Sequence, residues 1–265
     1  MPEHQEIQDL FNRVLLDFFA TYNISAPIVP SYEIVSDIAR AYLNLRPDVL
    51  EKSSVSIEEL NRYNGFTVPP KTLYGTFTVL LNANVISENM KNGRCDWIGT
   101  IVHETTHVQD FTEYAKIISA PDYECILSIA QNGMFNLWTE INARAKGYYF
   151  VRKYTLGTAM NSKELLSDIL CREIPLQRKM LFQNYHATND GYQQAYFVAH
   201  YIGRLYTLQQ LYPVDFSDEW VEAHFGVNNW MSDWFFFYKK YPVLTEASQH
   251  FEEMKDILRT NFRGL

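Results

Sequence analysis

Apolar residues recur at helical spacing along most of the chain, which predicts a predominantly helical protein. The first such stretch runs from about Pro2 to Ala20. A turn that contains Pro27 and Pro30 follows, and Ser31 stands where it can cap a second helix reaching Leu45.

The segment from Gly75 to Asn82 has a different pattern, because its residues are β-branched and aromatic. It is the clearest predicted strand of the chain. Its edge is free to pair with an extended peptide, or it is a core strand of a small sheet; the pattern fits both. Residues Asn89 to Gly93 are expected to form the turn into the next helix.

The following stretch, from Ile98 to Phe111, is an apolar helix that contains the motif His-Glu-x-x-His. At about 100° per residue, His103 and His107 lie about 40° apart and one turn removed. Both imidazoles can therefore reach one metal ion, and Glu104 points to its side.

These residue types suit catalytic zinc, which takes three protein ligands and a water. Glu104 is expected to take a proton from that water and pass it to a leaving amine. Two histidines can also stand at this spacing by chance on an exposed amphipathic helix. The apolar character of the helix favours the metal site, since unpaired polar groups there are costly.

Glu140 is the strongest candidate for a third ligand. Glu113 lies about 120° from the metal-facing direction of the first helix, so we expect a solvated or supporting residue there. Glu140 belongs to a long helical pattern whose stripe consists of small or polar residues that let another helix pack closely: Gly133, Asn136, Ala143 and Gly147. A core glutamate paired with an arginine is the alternative.

His103, Glu104 and His107 followed by a helical glutamate resemble the gluzincins, zinc peptidases with two histidines and a glutamate as ligands. The segment from about Gly75 to Tyr149 is most similar to the small intracellular metallopeptidases of the ImmA/IrrE type. The resemblance implies a zincin-like fold, the ligands His103, His107 and Glu140, and Glu104 as general base.

Three positions depart from related families. Arg144 stands where thermolysin-like gluzincins carry an aspartate that orients a histidine. Asp110 and Glu113 replace the glycine and the third histidine of metzincins, which disfavours that family. Asp110 is expected either to support a metal-bound histidine or to be an ordinary surface carboxylate.

A later helix, from about Gly191 to Leu211, carries a polar line of Tyr196, His200 and Arg204 on an apolar background. Tyr196 or His200 is a candidate catalytic donor to the oxyanion of a hydrolysed carbonyl. Arg204 is a candidate substrate-binding residue. A buried network that only fixes packing is the alternative.

Composition narrows the class of protein. The 265 residues carry a net charge of -8, and no basic cluster stands out, which argues against a nucleic-acid partner. No signal peptide or membrane span is apparent. Three widely spaced cysteines fit a reducing compartment, so a cytoplasmic location is expected. The aromatic run from Trp234 to Tyr238 is expected either in the core or in a substrate groove.

We therefore expect one α+β, predominantly helical domain over residues 1–265, with a small sheet beside the motif helix. Residues 1–95 would hold the N-terminal helices and the sheet, and residues 96–265 a helical lobe with the metal site. The leading hypothesis is a zinc-dependent peptidase acting on peptides or proteins. The alternatives are a catalytically inactive zinc-containing binding or regulatory protein, and a metal amidase for a small non-peptide substrate. The oligomeric state stays open.

Overall fold

The computed structural model describes residues 4–48, 57–157, 163–226, 229–259 and 261. The described part is mostly helical, with one small mixed sheet, as the sequence predicts. Its α-helices are α1 (His4–Thr21), α2 (Ile38–Leu45), α3 (Ala83–Lys91), α4 (Asp96–Ile117), α5 (Tyr123–Leu127), α6 (Ile129–Leu156), α7 (Lys163–Asp168), α8 (Ile174–His186), α9 (Gly191–Leu211), α10 (Asp218–Phe225), α11 (Trp230–Lys240), α12 (Leu244–Ala247) and α13 (Phe251–Arg259). Its strands are β1 (Ser31–Val35), β2 (Gly65–Val68) and β3 (Thr78–Asn82).

The sheet has the order β1-β3-β2, with β1 parallel and β2 antiparallel to β3. The predicted strand is therefore found as β3, but it occupies the centre, and both of its edges are paired. The expectation that β3 pairs with a peptide is wrong, because its backbone hydrogen-bonding groups already serve β1 and β2. The strand that lies against the motif helix with an edge position is β2.

The predicted helix from Ser31 to Leu45 is wrong in its first half. Residues Ser31–Val35 form β1, which pairs in register with Thr78 to Asn82. The helix begins only at Ile38, where the Asp37 carboxylate accepts the backbone N–H of Arg40 at 2.9 Å. A capping aspartate satisfies an otherwise unpaired amide, so it sets the helix start.

Three long helices, α4, α6 and α9, pack closely because glycines lie where they cross. A Cβ atom added at Gly147 of α6 would lie 2.6 Å from the carbonyl oxygen of Gly99 in α4. One added at Gly203 of α9 would lie 2.6 Å from the carbonyl oxygen of Ile141. The close approach predicted for the small-residue stripe of α6 is found at Gly147, against the motif helix.

The C-terminal aromatic run contributes to the core. Trp234, Phe235, Phe237 and Tyr238 are each at most 3% exposed, so the substrate-groove interpretation does not hold for them. They belong to one large buried cluster that also contains side chains of α1, α4, α6 and α9. No helix in the described part of the chain is both long and apolar enough to cross a bilayer.

Candidate metal centre

The side chains of His103, His107 and Glu140 converge between α4 and α6. The two Nε2 atoms lie 3.0 Å apart, and each lies 3.5 Å from an oxygen of Glu140. All three residues are largely shielded from solvent, although 17% of the Glu140 side chain stays exposed. The helix pair thus collects three electron-pair donors at the bottom of a partly open site.

This set of donors fits tetrahedral zinc. With metal–ligand bonds of about 2.0–2.2 Å, two ligand atoms of a tetrahedral ion are roughly 3.4 Å apart. The 3.0 Å between the two Nε2 atoms lies close to that value, as do the 3.5 Å from His103 Nε2 to Oε2 and from His107 Nε2 to Oε1 of Glu140. Two imidazoles and one carboxylate are also a ligand set that zinc hydrolases use.

The protonation states required of ligands agree with this fit. Burial lowers the pKa of His103 to about 3, so its imidazole is neutral near pH 7. Burial opposes ionisation of Glu140, but His107 and the hydrogen bonds of His103 and His200 outweigh it. They hold the pKa of that carboxyl well below its usual range. A neutral imidazole and a carboxylate are the forms that bind metal.

His107 is held in one tautomer by a short relay of hydrogen bonds. Its Nδ1 lies 3.1 Å from the hydroxyl of Thr139, which donates to the Asp110 carboxylate at 2.6 Å. Because the hydroxyl proton goes to Asp110, the hydroxyl oxygen must accept the N–H of Nδ1. The lone pair of His107 is thereby left on Nε2, where a metal would bind.

Asp110 is therefore no surface carboxylate. It is 4% exposed and also accepts two bonds from the Asn142 amide, at 2.9 and 3.0 Å. Asn142 in turn accepts the hydroxyl of Tyr238 at 3.1 Å. Burial raises the pKa of Asp110, while Lys146, Thr139 and Asn142 oppose that rise. The residue supports His107 through Thr139, whereas the Nδ1 atom of His103 has no partner among the described residues.

His200 supports Glu140 in a similar way. Its Nε2 lies 2.9 Å from Glu140 Oε2, and its Nδ1 lies 2.8 Å from a guanidinium nitrogen of Arg144. Arginine can only donate, so Nδ1 accepts and Nε2 carries the proton given to Glu140.

His103, Glu140 and His200 also form a compact group of possible ligand atoms. In the tautomer that these two partners require, His200 has no lone pair directed at the site, so we prefer His107 to His200 as the second imidazole ligand. The structure thus places His200 beside the candidate ligand Glu140, where its hydrogen bond orients the carboxylate.

Glu104 lies on the side of the site that faces the sheet. One of its carboxylate oxygens accepts the hydroxyl of Thr67 in β2 at 2.8 Å. A Cβ atom at Gly65 would come within 3.0 Å of the Glu104 side chain, so glycine leaves room for it. Burial raises the pKa of Glu104, which strengthens it as a base.

Tyr196 and Arg204 lie on the same face of α9 as His200. The Tyr196 ring centroid is 4.3 Å from that of His200. Burial, together with the charges of Glu140 and Glu104, raises the Tyr196 pKa well above its usual value, so its hydroxyl keeps its proton. Arg204 lies one helical turn beyond His200 on α9, beside Arg144. Glu113 is exposed on α4.

Sequence reasoning did not identify Thr67, Thr139 and Asn142. Thr139 and Asn142 flank Glu140 in the same helix, and a search for polar residues next to a candidate ligand would have found them. Thr67 carried no such signal, because it lies in the short strand β2, which is far from the motif helix in sequence. Comparisons of the chain with protein-family models, with curated proteins and with solved structures found no match in any of the three.

Proposed function

We propose that the protein is a zinc-dependent peptidase of gluzincin type. The observation that carries the proposal is the convergence of His103, His107 and Glu140 to within 3.0–3.5 Å, with the Glu104 carboxylate next to them. A purely structural zinc site closes its fourth position with a protein ligand and has no use for a base. An inactive zinc-binding protein is therefore the weaker proposal.

Zinc held by these three side chains would polarise the scissile carbonyl and lower the pKa of a water, so that the water loses a proton easily and becomes a nucleophile. Glu104 removes a proton from the attacking water and returns it to the amine that leaves. Among the described residues Thr67 bonds only to Oε2 of the Glu104 carboxylate, which leaves Oε1 for this task. Tyr196, whose ring lies beside His200 and whose hydroxyl keeps its proton, would be the neutral donor for the developing oxyanion.

A peptide substrate is favoured over a small amide by the position of β2. Within the described residues β2 pairs only with β3, so its other edge has no strand partner, and Phe66 is the one β2 residue that is not buried. The strand is attached to the general base through Thr67. A peptide that added to this edge would gain backbone hydrogen bonds and run past Glu104.

The test compares four purified proteins, each loaded with zinc and dialysed. Wild type is expected to retain about one zinc per chain and to cleave peptides in a diverse pool. Glu104→Gln should keep the zinc and lose cleavage, whereas Glu140→Ala should lose the zinc. Glu113→Gln is the matched control, because it changes an exposed residue on α4, the helix of Glu104. This variant should keep both the zinc and the cleavage activity.

Absence of zinc from the loaded wild type would refute the metal site. Retained zinc with identical peptide pools before and after incubation would instead favour the binding protein. Full zinc affinity in Glu140→Ala would show that another residue is the third ligand. Metal analysis and mass spectrometry of the pool provide these readouts.

A further inference from the structure

Two arginines lie side by side one helical turn beyond the candidate metal site. Arg144 follows Glu140 by four residues in α6, and Arg204 follows His200 by four residues in α9. The helices cross at Gly203, where an added Cβ would lie 2.9 Å from the Cβ of Arg144. Burial and the charge of Arg144 lower the pKa of Arg204 to about 10, in agreement with this proximity.

The two guanidinium groups have few partners. Arg144 donates one bond to His200, but its Nε is buried without an acceptor. The Nε of Arg204 is likewise buried and unbonded, and no carboxylate of the described chain pairs with Arg204. Burying such donors unpaired is costly, and the cost is larger for charged groups than for neutral ones.

The carboxylate whose charge acts on Arg204 already has other partners. Glu173, which lies where a π-helical turn meets α8, accepts hydrogen bonds from Tyr148, Arg152 and Gln177. These three donors occupy both of its oxygens. Arg204 is therefore left as a cation whose counterion the described protein does not supply.

We propose that Arg204, together with Arg144, binds a carboxylate of the substrate, either its C-terminal group or an acidic side chain. This inference rests on the proposed peptidase function and names the chemistry of its substrate. Guanidinium groups bind carboxylates through paired N–H donors in one plane. This pairing strengthens binding and also fixes the orientation of the carboxylate. The polar line of α9 then has two tasks, since His200 orients the ligand Glu140 and Arg204 positions the peptide.

The test measures binding and does not depend on turnover. Zinc-loaded Glu104→Gln protein is immobilised and exposed to three random peptide pools. The first pool has free C-termini and no Asp or Glu; the second is the same but amidated; the third is amidated and contains Glu. Retention in the first or third pool should exceed that in the second about tenfold or more, and shows which carboxylate is bound.

Arg204→Leu, made in the same background, should remove the preference and lower affinity for the retained peptides about 10–100-fold in calorimetry. Arg178→Gln is the control, because it removes one exposed charge from α8 and should leave the preference intact. If Arg204→Leu does not fold, Arg204→Gln in the same background takes its place in this comparison.

Equal retention of all three pools, or retention of none, overturns the carboxylate site. A preference that Arg204→Leu leaves unchanged also overturns it. Failure of the peptidase proposal has a different result, because it appears as missing zinc or missing cleavage by wild type. A protein that cleaves the pool and shows no carboxylate preference is a peptidase without this site.

Discussion

The hydrogen-bond relay behind His107 allows a sharp test of the metal centre through the change Thr139→Val. Thr139 is 2% exposed, and valine has nearly the same shape, so the substitution removes a hydroxyl and leaves little space. Two bonds disappear: the one from His107 Nδ1 at 3.1 Å and the one to Asp110 at 2.6 Å. Asp110 keeps its two bonds from Asn142.

The magnitude follows from the two lost bonds. The neutral bond contributes about 1 kcal/mol and the charge-assisted bond about 1.5–3 kcal/mol to folding. We therefore expect the metal-free variant to lose about 2–4 kcal/mol of unfolding free energy. Outer groups that hold a ligand typically contribute about 10–100-fold to metal affinity. Zinc affinity should fall by that factor, because His107 then loses its fixed tautomer.

The assay combines urea denaturation of the metal-free proteins with competition for zinc against a chromophoric chelator. Thr207→Val is the matched control, since Thr207 is 3% exposed and donates at 2.8 Å to the backbone oxygen of Ala145, with no bond to a ligand side chain. It should alter stability but keep zinc affinity within about twofold of wild type. Equal zinc affinities of Thr139→Val and Thr207→Val would refute the relay.

Three further predictions concern packing, pH and metal removal. Gly147→Ala should cost about 1–3 kcal/mol in denaturation experiments, because its methyl group meets the Gly99 carbonyl, and an unchanged midpoint would contradict the crossing. Gly133→Ala meets only ordinary contacts in the same helix and should be neutral or stabilising by up to about 1 kcal/mol. Burial raises the pKa of the Asp17 carboxyl, but hydrogen bonds from Lys153 and Tyr154 outweigh burial and hold this pKa below its ordinary value. The Asp17 carboxylate therefore stabilises the fold at pH values above the pKa of the unfolded state. Asp17→Asn should therefore cost up to about 1 kcal/mol at pH 7, and the difference should vanish as the pH falls through the folded-state pKa; a difference that persists in acid would exclude the ion pair. Zinc at about 100 times its dissociation constant should add about 2.7 kcal/mol of stability, seen as a higher melting temperature that a chelator reverses, whereas an unchanged melting temperature would speak against binding.

Much of the candidate site could be predicted because its key residues lie on regular helices. The spacing of His103 and His107 determines that both imidazoles share one face of α4. The small residues around Glu140 indicated a close helix contact, which the structure shows at Gly147. Periodicity carries such information, because an α-helix converts sequence spacing directly into direction.

The supporting groups depend on contacts between distant segments, which spacing cannot supply. Thr67 meets Glu104 across 37 residues, and His200 meets Glu140 across 60. The error at Ser31–Val35 has the same origin. Its apolar residues fit a helix locally, but pairing with β3 decided the outcome.

The concentration of functional groups on α6 determines where the chain can change in length. Thr139, Glu140, Asn142 and Arg144 lie within six consecutive positions of this helix, which packs against α4 on one side and α9 on the other. One inserted residue between Glu140 and Gly147 would turn one part of the helix about 100° against the other. It would change the direction of Glu140 relative to the contact of Gly147 with α4. Insertions between the end of α6 and the start of α9 leave these directions unchanged, so we expect natural variation in length to collect there.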